Sequence, residues 1–174
     1  MRGLIYTISI LLISHLTHAQ LPDARGYIVK VGDVVPNIEF ELIDGTTTSI
    51  DDLRGKVIML QFTASWCKVC REEMPHIEKE VWKVFKDQGL VIIGVDRDEP
   101  LEKVISFAKQ MGVTYPMSLD PGANIFGVFA DKKAGVTRNV IINAKGEIIF
   151  LTRLFEKAEF NEMKEVIEAE LTKK

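Results

Sequence analysis

The sequence predicts an α/β domain built on a mixed sheet, and three observations lead to that class. Strongly apolar runs recur at 57–62, 90–95 and 139–142, each short enough for a buried strand. Between the first two lies a stretch with Met74, Ile77, Val81, Val84 and Phe85 at helical spacing. After the third, Ala144-Lys145-Gly146 turns the chain directly into 147–151, as an antiparallel hairpin would. Strand–helix–strand units pair in parallel through right-handed crossovers, whereas a tight hairpin adds antiparallel strands, so the sheet is mixed.

Taken in chain order, residues 20–31 read as a linker or extended arm, and the folded domain as 32–174. Ile38-Glu39-Phe40-Glu41-Leu42 alternates apolar with polar, and Asp44-Gly45 is a turn pair, which together make an N-terminal β-hairpin. The apolar run from Val57 is the first core strand. In the helix after it, Pro75 lacks an N–H and should introduce a kink, and Gly89 ends the helix. The run 90–95 is the second core strand. Leu101, Val104, Ile105 and Ala108 mark a further helix, closed by Gly112. Residues 123–129 form a short helix and 158–171 a last amphipathic one; Trp82 and the phenylalanines are assigned to the core. This order is that of a thioredoxin-like fold, a central mixed sheet flanked by helices, with a β-hairpin added in front.

Bulk properties narrow the function. A hydrophobic content of 47% supports a real core, and a formal net charge of -3 argues against nucleic acid or an anionic membrane surface as partner. Residues 1–19 differ from the rest: Arg2, then an apolar run from Leu4 to Leu16, then Thr17-His18-Ala19. That pattern is a secretory signal peptide cut after Ala19, since the run is shorter than the roughly 20 residues of a membrane span. A retained N-terminal anchor is the other reading, and both put the domain outside the cytoplasm, in the periplasm. Cleavage leaves His76 as the one histidine, read as a surface or partly packed side chain. No metal site is expected, because zinc needs about four ligands and the mature chain offers two thiols and a distant imidazole.

The chain has 2 cysteines, Cys67 and Cys70, in Trp66-Cys67-Lys68-Val69-Cys70. A loop this short contributes little as a staple, because disulfides stabilise most by closing long loops, so the pair reads as a redox dithiol. Placed where a strand hands over to a helix, Cys67 gains the helix dipole and free N–H groups that stabilise a thiolate. It is assigned as nucleophile, and Cys70, one turn deeper, as the thiol that resolves the mixed disulfide. The Lys68 charge would tune the thiolate, or simply be solvated. Trp66 offers an aromatic platform to a partner, or covers the core edge. Glu73, three residues beyond Cys70, would shuttle protons, or be an exposed helix charge.

Gly32-Asp33-Val34-Val35-Pro36, Phe40-Glu41-Leu42, Leu53-Arg54-Gly55-Lys56-Val57 and the block from Phe62 through Trp66-Cys67-Lys68-Val69-Cys70-Arg71-Glu72-Glu73-Met74-Pro75 together resemble the TlpA/ResA family of exported thioredoxin-like disulfide reductases. Gly94-Val95-Asp96, Tyr115 through Asp120 and Gly135 through Gly146 continue the match, which spans about residues 32 to 172. The resemblance implies a thioredoxin fold, Cys67 as attacking thiol, Cys70 as resolving thiol, an active-site place for Glu73 and no bound cofactor. Two departures stand out. Gln61 occupies the place of the buried Asp of thioredoxins proper, and Gln is no base. Thr137 occupies the place of the family's cis-proline. A cis bond before a non-proline residue costs about 3–4 kcal/mol, so a trans bond is expected, in a loop that still faces the dithiol. Thr137 and Arg138 then become the substrate-contact candidates, with an exposed loop arginine as the alternative.

These readings converge on an exported, monomeric thiol–disulfide oxidoreductase that reduces disulfides of exported proteins, such as apocytochrome c, with electrons from a membrane relay. Two rivals remain: a thiol peroxidase of peroxiredoxin type, against which Ala64 stands where a Thr or Ser is needed, and a copper-binding or redox-silent adaptor.

Overall fold

The computed structural model describes residues 25–173. The signal-peptide segment lies outside the described residues. Five strands form the central sheet: β3 (Val57–Thr63), β4 (Leu90–Arg97), β5 (Met117–Asp120), β6 (Arg138–Ile142) and β7 (Ile148–Arg153), in the order β5-β4-β3-β6-β7. β3, β4 and β5 run parallel, while β6 and β7 are antiparallel to their neighbours, the mixed sheet that the chain order requires. All seven residues of the central β3 are buried, which is why it opens on the continuous apolar run Val57-Ile58-Met59-Leu60.

The predicted hairpin is β1 (Glu39–Glu41) with β2 (Thr47–Ser49). Asp44 Oδ1 accepts from the N–H and hydroxyl of Thr46, and Gly45 takes the left-handed conformation (φ 85°) that the turn demands. A bridge from Leu42 to Ser118 and an Ile43 N–H donated to Met117 O tie the hairpin to β5, shielding that edge of the sheet.

Two apolar clusters sandwich the sheet. On one side α1 (Lys68–Ile77), α3 (Leu101–Met111) and α5 (Lys157–Leu171) contribute Met74, Ile77, Phe107, Phe160 and Met163. On the other, Phe40, Ile50, Phe62 and the short α4 (Phe126–Phe129) pack together, with Phe126 edge-on to Phe62 at 5.5 Å.

Two expectations need correction. Pro75 lies inside α1, and the helix then widens into a π turn, Glu78–Trp82, before resuming as α2 (Lys83–Phe85). The wider turn shifts the phase of the apolar stripe: Phe85 is buried and Val84, assigned to that stripe, is exposed. Trp82 is half-buried rather than core, because its indole N–H reaches outward to Thr114 Oγ1 at 3.0 Å. Of the two readings of residues 20–31, linker or extended arm, the described part from Arg25 behaves as an arm docked on the domain. Tyr27 is buried, bridges to Ala130, and donates its hydroxyl to Thr152 O at 2.6 Å. The ring is joined by backbone hydrogen bonds from Ile28 N–H to Phe129 O and from Asp131 N–H to Gly26 O, which dock a segment whose sequence carries no strand pattern. His76 is half-exposed, its ring tilted against Phe155 at 5.0 Å, with Nδ1 2.8 Å from Glu80.

Replacing Tyr27 by Ala removes that anchor and should lower the unfolding free energy by about 3 kcal/mol. Denaturant titration of the oxidised protein measures it; an unchanged midpoint would mean that the segment is not part of the cooperative unit.

Candidate active site

The site forms where three elements end together. β3 stops at Thr63, the loop Ala64-Ser65-Trp66 follows, and Cys67 caps α1. As N-cap, Cys67 has extended backbone and its Sγ accepts the Cys70 N–H at 3.2 Å. A sulfur that caps a helix sits against its unpaired N–H groups and its dipole, which favour negative charge there. The pair is closed as the Cys67–Cys70 disulfide, with Cys67 half-buried and Cys70 buried.

Thr137 closes the site from the opposite side. It begins the turn into β6 with φ 69°, and no described peptide bond is cis, so the bond before Thr137 is trans as expected. Its side chain is buried, and Oγ1 lies 3.0 Å from Cys67 Sγ and 3.0 Å from Cys70 Sγ. The loop thus faces the dithiol with a hydroxyl.

Arg138 does not do so. Instead of an exposed charge beside Cys67, it is among the largest fully buried side chains. Its guanidinium donates to Gly135 O (3.0 Å) and Arg25 O (2.6 Å) and lies over the Tyr27 ring at 4.6 Å. Strand alternation explains it: Thr137 and Asn139 share the face towards α1, and Arg138 takes the other.

Glu73 is buried on the same face of α1 as Cys70, three residues on, where an exposed charge was the alternative. Asn139 Nδ2 donates to Glu73 Oε1 at 2.7 Å, and the second oxygen, Oε2, has no hydrogen bond. Burial pushes the Glu73 carboxyl up to about 7, against the opposing pull of the Asn139 and Gln61 amides. Gln61 is positioned for this by Tyr115, whose hydroxyl donates to Gln61 Oε1 at 2.6 Å and leaves the amide nitrogen towards Glu73. Gly94 makes room: a Cβ there would run into Met117 and touch the Tyr115 ring. Gln61 is therefore no base itself; its amide nitrogen lies on the Glu73 side without a hydrogen bond to the carboxyl.

The loop before Cys67 is clamped by a second carboxylate, Glu99. Glu99 accepts the Ser65 N–H at 2.5 Å and its hydroxyl at 2.7 Å, and pairs with Lys103 at 2.6 Å. Burial disfavours the Glu99 charge, but Lys103 and the Ser65 donors outweigh it and hold the carboxyl below its usual range. Burial, with the Glu99 charge beside it, pushes Asp96 up to about 8. Arg71 Nε donates to Ser65 O at 2.8 Å, so the loop is held from both sides. Of the remaining candidates, Trp66 is 62% exposed beside Cys67. Lys68 is 90% exposed with its ammonium 3.9 Å from Glu72, a solvated and screened charge.

Sequence reasoning brought Cys67, Cys70, Glu73 and Thr137 to one place, and missed Asn139, Tyr115, Ser65 and Glu99. Asn139 was within reach, because it lies two residues beyond Thr137 on one strand face. Glu99 was not, because nothing local shows that its carboxylate reaches Ser65. Among the described residues no cluster of His, Cys, Asp and Glu has the geometry of a metal site, and no helix is long and apolar enough to cross a membrane.

Comparison with known proteins fits this geometry. The AhpC/TSA family model matches residues 31–150. The thiol-disulfide oxidoreductase ResA of Bacillus cereus is 30% identical over 145 residues, covering 83% of this chain and 79% of that protein. A solution structure from Bacteroides thetaiotaomicron, described as a "putative protein disulfide isomerase", superposes with a TM-score of 0.83 at 53% identity, covering 85% of this chain and 94% of that one. A thiol:disulfide interchange protein of the thioredoxin family from Chlorobium tepidum shares the fold at 24% identity, with a TM-score of 0.68, over 82% of this chain and 99% of that one.

The Glu73 environment sets a pH dependence. Between its ordinary value of 4.5 and about 7, the native protein keeps a proton on Glu73 that the unfolded chain has lost. Stability therefore falls as pH rises through that window, by about 3 kcal/mol in all, and stays lowered above it. Glu73→Gln cannot ionise and should lack this slope. Denaturant unfolding of both oxidised proteins at about pH 5 and about pH 8 checks it; parallel pH profiles would contradict the assignment.

Proposed function

We propose that this chain, a member of the AhpC/TSA family and, like the ResA protein it resembles, a thiol–disulfide oxidoreductase, works in the reducing direction on disulfides of exported proteins. The observation that carries the reading is the unequal setting of the two sulfurs. Cys67 caps α1 at the protein surface with an N–H donor on its sulfur, and Cys70 is buried behind it. The first suits a nucleophile that must meet a partner, the second a thiol that acts only once a mixed disulfide exists.

In the cycle, the Cys67 thiolate attacks a partner disulfide, and one partner sulfur leaves with the electron pair. Glu73, poised near neutrality in a dry niche one turn from Cys70, takes the Cys70 proton. The Cys70 thiolate then attacks Cys67, closing the disulfide and releasing the second partner thiolate. Trp66 supplies the exposed aromatic surface on which the partner rests, and Thr137 the buried wall opposite. A membrane electron relay regenerates the dithiol. Export rests on the pattern of residues 1–19, and it places the domain in the periplasm. The protein acts as a monomer without a bound cofactor.

Cys67→Ser should reduce protein disulfides no faster than buffer does, and Cys70→Ser should accumulate a mixed disulfide with its partner. Turnover assays with insulin and non-reducing gels read these outcomes. Full reduction by Cys67→Ser would refute the assignment.

A further inference from the structure

Thr137 is held in a backbone conformation that a β-branched residue seldom adopts, φ 69°. Both of its backbone groups are committed. Its N–H donates to Phe62 O at 3.1 Å, and its carbonyl accepts the Leu154 N–H at 3.0 Å. The turn is thus pinned between the end of β3 and the end of β7, and it places Oγ1 at 3.0 Å from both sulfurs. A disulfide sulfur carries no hydrogen, so in this oxidised state the hydroxyl is the donor. Equal distances to two sulfurs mean that one hydrogen serves either by rotation about a single bond.

We propose that the Thr137 hydroxyl is the hydrogen-bond donor to the reacting thiolate in both halves of the exchange, following the negative charge from Cys67 to Cys70. The proposal rests on the dithiol reading above. In the reduced protein the hydroxyl and the Cys70 N–H both donate to the Cys67 thiolate. Attack forms the Cys67–partner sulfur bond and breaks the partner disulfide, whose other sulfur leaves with the electron pair. Cys67 is then neutral and the hydroxyl is released. As Cys70 passes its proton to Glu73, the hydroxyl turns to the new thiolate. Attack by Cys70 forms the Cys67–Cys70 bond and breaks the Cys67–partner bond, and the second partner thiolate takes a proton from water. Two electrons pass from the dithiol to the partner, and the hydroxyl hydrogen is never transferred.

Hydrogen bonds to ionised groups are about twice as strong as neutral ones, so the donor should show in the thiolate population. The experiment is the pH dependence of Cys67 alkylation by iodoacetamide in the reduced protein, located by mass spectrometry, for wild type, Thr137→Val and Thr137→Ser. Val keeps the β-branch and the backbone cost while deleting the donor; Ser keeps the donor. The Val variant should move the pH midpoint up by about one unit, a tenfold loss of thiolate below it, and the Ser variant should stay with wild type. A Val midpoint equal to that of wild type overturns the proposal, as does an equal shift in Ser. If the Val protein does not fold, Thr137→Ala against Thr137→Ser gives the same comparison. Failure of the dithiol reading shows on wild type alone, as absence of insulin reduction; an active wild type with no donor effect condemns only the role of Thr137.

Discussion

The antiparallel register between β3 and β6 is the constraint on which the site depends. It pairs Gln61 with Asn139 and Phe62 with Arg138. The first pair builds the polar niche that Glu73 enters from α1. The second puts Thr137, one residue before Arg138, level with the end of β3, where the chain turns towards Cys67. A slip of one residue would send Asn139 to the opposite face and Arg138 towards the dithiol. The register is held by apolar pairs buried on both faces of the sheet, Leu60 with Val140 and Met59 with Ile141. The chemistry therefore depends on packing far from the sulfurs.

Around that frame the protein keeps acidic groups in dry places without pairing each with a base. Glu73 has two amides near it, and Asp96 has a neighbouring carboxylate. Such groups cost stability when ionised and hold their protons towards neutral pH instead. In the proposed cycle this has a use. The Cys70 thiol is buried, so there its proton needs an acceptor other than bulk water, and a carboxyl raised to about 7 is suited to accept and return it. The Glu99 carboxylate, by contrast, stays ionised because Ser65 and Lys103 satisfy it, and it serves as a clamp on the loop that carries Trp66 and Cys67. Two carboxylates thus take different roles because both their burial and their partners differ.

The sequence was legible where local pattern dictates structure. The apolar runs gave the strands, Asp44-Gly45 gave the hairpin, and Cys67 with Cys70 gave the reactive pair at a helix start. It was less legible where a phase or a distant partner decides. The π turn after Ile77 leaves Phe85 on the buried stripe and takes Val84 off it, and no local signal marks where a helix will widen. Arg138 was read as a loop charge because arginines are seldom fully buried; its two carbonyl acceptors and the Tyr27 ring come from segments remote in sequence. The docking of Tyr27 escaped for the same reason. The role of Glu73 lay between these cases: its spacing from Cys70 was visible, but its burial depends on Asn139, which strand alternation alone could have placed.

The central claim is that Cys67 and Cys70 form a reversible couple kept reduced for attack on partner disulfides. The most direct measurement is the reduction potential of that couple in the mature protein, by equilibration with a thiol buffer and alkylation of free thiols. The account predicts a value of roughly -220 mV or lower, in the range of proteins that donate electrons. A value near about -120 mV, that of a strong oxidant, would contradict it by making the protein a donor of its disulfide.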